Sequence, residues 1–101
     1  MYYIYILRCS DNSLYTGITT DFEKRLATHM NKDKAAAKYT KSRSVVCAEA
    51  LWTCDDKSGA LRLECYIKRL AKKKKEELIK NPELINNSTL TTEYKIIKNF
   101  A

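Results

Sequence analysis

Between Tyr3 and His29 the sequence YIYILRCSDNSLYTGITTDFEKRLATH gathers two phenols, Tyr5 and Tyr15, a guanidinium, Arg25, and the chain's one imidazole, His29. A carboxylate that could join them, Glu64, lies further along in ALRLECYIKRL. These groups suit hydrolysis of a phosphodiester, which needs a nucleophilic water, charge on the phosphorus oxygens and help for the leaving oxygen. Arg25 offers a planar fork matched to phosphate, which a lysine would match poorly. Glu64 is a hard oxygen ligand suited to one divalent cation, Mg²⁺ or Mn²⁺, with open water positions. A single carboxylate argues against a two-metal site. A free phenol has a pKa of about 10, so either tyrosine could take a proton from water only if nearby cations lowered that value.

The elements that must position these groups are readable from pattern. Tyr2 to Leu7 and Leu14 to Ile18 have strand composition, and Ser10-Asp11-Asn12-Ser13 between them is turn chemistry, so a hairpin is expected. Alternation puts Tyr3, Tyr5 and Leu7 on one face and Tyr15 with Gly17 on one face of the second strand, so two phenols can meet across the pair. Thr20-Asp21-Phe22-Glu23 reads as a capping box that starts a helix near Asp21. Phe22, Leu26 and Met30 then form its core stripe, with Arg25 and His29 along one edge looking toward the hairpin. Val45 to Trp52 is a third strand and Thr53 to Lys57 its polar exit. Ser58 caps a helix whose apolar face is Ala60, Leu61, Leu63, Ile67, Leu70 and Ala71. Glu64 falls inside that face. A carboxylate turned toward a core must be paired or bound to a cation, and here the partner is Lys68, Arg25 or a metal.

Tyr3-Ile4-Tyr5 and Tyr15-Thr16-Gly17 resemble the two motifs of the GIY-YIG nuclease superfamily, with Tyr3 where the first motif has glycine. The runs LYTGITTDFEKR, YTKSR and ALRLECYIKRL extend the likeness to small stand-alone members, over about residues 2 to 80. The resemblance implies Tyr5 as general base, Tyr15 as a partner positioning water or phosphate, Arg25 on the phosphate and Glu64 on the metal. His29 matches a histidine of some members, as an alternative base or a hydrogen-bond partner of a tyrosine; its ordinary reading is a half-exposed helix residue. Gly17 allows close approach of backbone or substrate.

The bounds agree with a small intracellular domain. A chain of 101 residues is expected to form one domain over 1–82, with 83–101 as an extension docked on it. The absence of a long apolar run or signal-like start predicts no membrane association and a reducing, cytoplasmic compartment. Cys9, Cys47, Cys54 and Cys65 contain no C-x-x-C spacing and read as idle or buried thiols rather than zinc ligands. No glycine-rich phosphate loop exists to hold a small-molecule cofactor. A net charge of +7 and a pI near 9.3 favour polyanionic partners. Lys38, Lys41 and Arg43 read as phosphate contacts, with Tyr39 available to stack, and Lys68 as a further contact. The run Lys72 to Lys75 continues the helix as a solvated face pairing with Glu76 and Glu77, phosphate contact being secondary.

The expectation is an α/β (α+β) domain with a three-stranded, mainly antiparallel sheet flanked by helices. Its expected function is metal-dependent cleavage of DNA, RNA not being excluded; the alternative is a nucleic-acid-binding module with the same fold and little or no cleavage. Either reading predicts that log affinity for DNA falls linearly with log salt. Alanine at Lys38, Lys41 and Arg43 together should make that slope shallower by about 2–3 in a salt titration followed by fluorescence anisotropy; an unchanged slope would move the binding surface elsewhere.

Overall fold

The structure, a computed structural model, describes residues 1–30, 44–87, 90 and 92–98. In chain order the elements are β1 (Tyr2–Cys9), β2 (Leu14–Thr19), α1 (Phe22–Met30), β3 (Val45–Cys54), α2 (Lys57–Arg69), α3 (Lys72–Lys80), a 3-10 turn (Pro82–Asn87) and β4 (Lys95–Ile96). The strands form one antiparallel sheet in the order β2-β1-β3-β4. Among the described residues it has four strands, where sequence pattern predicts three. The fourth is two residues long, too short to leave a pattern.

β1 owes its central place to being apolar on both faces. Ile4 and Ile6 pack on one side with Ala50, Trp52, Ala60, Leu63, Ile67 and Leu78. Tyr5, Leu7 and Cys9 pack on the other with Phe22, Val45 and Leu51. Full burial of such side chains contributes roughly 1.5–3 kcal/mol each, so the strand anchors two cores at once. The β1–β2 turn is closed by Asn12 N–H donating to the Cys9 carbonyl at 2.9 Å. Asn12 sits at φ 69°, a left-handed conformation that asparagine tolerates better than most residues.

Both helix starts lie one or two residues from their predicted caps. At α1 the Lys24 N–H donates to Asp21 Oδ1 at 3.2 Å, so Asp21 rather than Thr20 is the cap. At α2 the Gly59 N–H donates to Asp56 Oδ1 at 2.7 Å, so Asp56 replaces Ser58. In each case an aspartate one or two positions before or after the hydroxyl residue takes the role. The α2 face is also narrower than predicted: Ala60, Leu63 and Ile67 are buried, whereas Leu61 is 45% exposed. The helix does not run on into the lysines. Leu70 and Ala71 adopt extended backbone (ψ 143° and 154°), and α3 starts afresh.

The C-terminal segment packs on the same body. The Tyr94 hydroxyl donates to the Gly59 carbonyl at 2.6 Å, and the Arg62 guanidinium donates to Thr92 Oγ1 at 2.6 Å. Gly59 is required there, since a Cβ would lie 2.8 Å from Thr92 Cγ2.

α3 is pinned by an ion cluster that sequence pairing rules do not foresee. Arg8, on the Ile4/Ile6 side of β1, donates to both carboxylate oxygens of Glu76 at 2.6 Å and to Glu49 at 2.7 and 3.0 Å. Glu76 therefore serves Arg8 rather than Lys72. The hydrogen bonds from Arg8 hold the Glu76 carboxyl below its usual range. A carboxyl with a lowered folded pKa adds stability above its ordinary titration range and loses it as pH falls. Arg8→Met should cost about 2–4 kcal/mol at pH 7, since it leaves two partly buried carboxylates facing each other. Glu76→Gln should remove part of the acid sensitivity. Urea melts at pH 7 and pH 4 measure both.

Candidate active site

Tyr5 is the centre of the site. Its ring lies in the layer between the sheet and α1, 2% exposed, with ring centroids 6.4 Å from Tyr15, 5.9 Å from Phe22 and 5.8 Å from His29. Tyr5 and Gly17 face each other across the β1–β2 ladder. A Cβ at Gly17 would overlap the phenol oxygen and come within 2.6 Å of Cζ. The close approach that Gly17 allows is therefore that of the Tyr5 ring.

The phenol oxygen lies 3.0 Å from His29 Nε2. His29 is fully buried, where its helix position suggested half exposure, and Met30 is 48% exposed, where it was expected in the core. The reason is helical pitch: with 3.6 residues per turn, a residue seven positions after Phe22 returns to its face more closely than one eight positions on. His29 thus completes the inward stripe of Phe22 and Leu26.

Burial first, and then the charge of Arg25, lower the His29 pKa to about 4, so the imidazole is neutral at pH 7. Burial raises the Tyr5 pKa to about 12; a hydrogen bond from Arg25 and its charge oppose the shift, while Tyr15 and Glu64 add to it. The protein without substrate thus moves this phenol up, and Arg25 opposes the shift without reversing it. Desolvation outweighs the one guanidinium. Because Arg25 can only donate, the phenol oxygen accepts from it; with the Nδ1–H tautomer of the neutral imidazole, the phenol donates its own proton to Nε2. Tyr15 stands 5.3 Å from the imidazole, ring to ring, on the same side.

Glu64 comes from α2, in the opposite layer, yet its charge acts on Tyr5. Its side chain is 20% exposed and lies 3.5 Å from Lys68 Nζ, which is itself 52% exposed. That loose pair leaves carboxylate oxygen capacity for a cation. Among the described residues no group of three or more His, Cys, Asp or Glu converges; the chemistry of a lone carboxylate such as Glu64 fits a hard ion that keeps several waters. All four cysteines are free, Cys9 and Cys54 buried, Cys47 and Cys65 exposed. Lys38, Tyr39, Lys41 and Arg43 lie outside the described residues. A groove of about 850 Å³ is lined by Tyr3, Phe22, Leu26, Met30 and Leu51 among others.

A sheet carrying two facing tyrosines over a glycine, an arginine–histidine edge on the following helix and a glutamate on the next defines a class. The chain belongs to the GIY-YIG nuclease superfamily: the model of the GIY-YIG catalytic domain matches residues 1–77. Its relatives are small proteins named UPF0213. One from Fusobacterium nucleatum is 48% identical over 82 residues, 81% of this chain and 80% of that one. One from Lactococcus lactis subsp. cremoris is 45% identical over 98 residues, 96% and 95% of the two chains. The solution NMR structure of a UPF0213 protein from Bacillus halodurans, 40% identical, superposes with a TM-score of 0.52 over 92% of this chain and 100% of that one. Among the described residues no helix is long and apolar enough to cross a membrane.

The buried imidazole predicts a pH signature. Its folded pKa is lowered, so its contribution to stability is present above pH 6.5 and is lost as pH falls toward 4. Over that window the parent should lose on the order of 2–3 kcal/mol more than His29→Gln, measured by denaturant unfolding. Parallel pH profiles would place a charged or solvated imidazole in the folded state.

Proposed function

We propose that this domain is a metal-dependent endonuclease that hydrolyses DNA phosphodiester bonds. The observation that carries the reading is the bond between Tyr5 and His29 with Arg25 acting on both. In this reading Arg25 binds the scissile phosphate, and Tyr15 orients the water or a phosphate oxygen. Glu64 holds one divalent cation, which when bound supplies positive charge to the phosphate and cancels the anion that raises the Tyr5 phenol.

Arg25 couples binding to basicity. Its charge helps hold His29 at about 4; a phosphate dianion or diester paired with that guanidinium offsets the charge and raises the imidazole's affinity for a proton. The attacking water then gives its proton to the Tyr5 oxygen while the Tyr5 proton passes to Nε2. The water oxygen forms the new bond to phosphorus, the bond to the leaving oxygen breaks, and that oxygen takes a proton from solvent. The phenol thus acts as a base through a relay, with no phenolate formed in the resting protein. A phenol protonated at neutral pH also suits the second reading, a binding module without cleavage.

Incision of single-stranded, duplex, flapped and branched DNA with Mg²⁺, Mn²⁺ or chelator tests the proposal. Arg25→Lys should lower cleavage about 10²–10³-fold and spare binding better than catalysis. Glu64→Gln should abolish metal-dependent cleavage while changing stability by no more than about 1 kcal/mol, because its pair with Lys68 is largely solvated. An Arg25→Lys protein that cuts at the parental rate, or a parent that binds without cutting, would sink the nuclease reading.

A further inference from the structure

The first turn of α3 is built against helix electrostatics. Lys72, Lys73, Lys74 and Lys75 occupy the end where the macrodipole is positive and carboxylates are favoured, and that turn contains no acid. Its N-cap is Ala71, which makes no side-chain bond to the free N–H groups. The two glutamates that could neutralise the lysines are engaged. Glu76 is held on both oxygens by Arg8, and Glu77 lies 3.4 Å from Lys74. Lys72, Lys73 and Lys75 make no ion pair among the described residues. The end of α2 just before them adds Lys68 and Arg69, both exposed, and Lys68 lies beside Glu64. In chain order, cations therefore follow one another from Lys68, beside the candidate metal ligand, across the Leu70–Ala71 break into the first turn of α3.

We infer that this row is a phosphate-tracking surface that takes the backbone of duplex DNA on one side of the cleaved bond. The inference rests on the nuclease reading for the identity of the polyanion as substrate. No aromatic side chain stands among Lys68 to Lys75, whereas surfaces for single strands pair cations with stacking rings. An aromatic-free cationic row fits the regularly spaced phosphates of a duplex. It also explains why a helix keeps four ammonium groups where they weaken it.

The test uses the full chain in chelator with a fluorescein-labelled duplex of arbitrary sequence and the matching single strand, titrated with salt. The variant Lys72→Gln/Lys73→Gln/Lys75→Gln should bind the duplex at least about tenfold more weakly near 0.1 M salt and reduce the slope of log affinity against log salt by about 2–3. A charge-matched control, Lys57→Gln/Lys95→Gln/Lys98→Gln, should change affinity less than about twofold. The α3 variant should melt at or above the parental temperature, since it relieves the dipole conflict. A lower melting temperature with parental affinity would make the lysines structural and overturn the inference. Equal losses in the two variants would reduce the row to net charge, and an equal or larger loss on the single strand would overturn the duplex assignment. A parent that shows the localised binding loss yet never cuts DNA keeps the surface and removes the nuclease.

Discussion

A phenol buried to 2% exposure needs a partner for its proton and for its lone pairs, because an unpaired buried hydroxyl costs about 1–3 kcal/mol. Tyr5 obtains both from α1, in its bond with His29 and in the bond it accepts from Arg25, residues one turn apart on that helix. The bonds that satisfy the hydroxyl thus also set where α1 rests on the sheet. Gly17 is the complement on the other side, since any Cβ there would force the ring out of its place. Stability and chemistry draw on the same few contacts. The phenol is held neutral, and so is the imidazole that shares a hydrogen bond with it.

What the sequence reveals of this arrangement follows from how local each determinant is. The β1–β2 hairpin was legible because alternation and turn residues are short-range signals, and they bring Tyr5 and Tyr15 together as expected. The inward turn of His29 was not, since it depends on whether the α1 stripe runs 22, 26, 30 or 22, 26, 29, and a polar residue at the winning position hides the answer. Asp21 and Asp56 displaced Thr20 and Ser58 as caps because residues of similar capping ability one or two positions apart are separated only by backbone direction. The break at Leu70–Ala71 contains neither glycine nor proline, so composition is silent. The sign of the Tyr5 shift was hidden for another reason: it is a contest between burial and one cation, and burial is a tertiary quantity.

Arg8 shows how a structural bond can change a distant surface. By binding Glu76 on both oxygens it fixes α3 to β1, whose neighbouring residues Ile6 and Leu7 are fully buried. The same bond withdraws a carboxylate from the lysines of α3. Intrahelical pairing, the default for a lysine–glutamate run, would have given one more lysine a partner. A contact on the sheet thereby leaves an already cationic helix with less of its charge paired.

The sheet order explains why the polar cluster forms where it does. Tyr5 and α1 occupy one layer and α2 the other, and a wide sheet between them would keep Glu64 away from the phenol. β2, however, is an edge strand, paired among the described residues only with β1, and α2 packs along it through Leu14 and Ile18. At an edge, side chains from both layers can converge on one point in space. Gly17 lies on that strand and lets the Tyr5 ring extend over it toward the edge, which is where the charge of Glu64 is felt. Adding a strand outside β2 would keep every residue of the cluster and still separate it. The convergence of the cluster therefore depends on β2 lying at the edge of the described sheet, where α2 packs against its face.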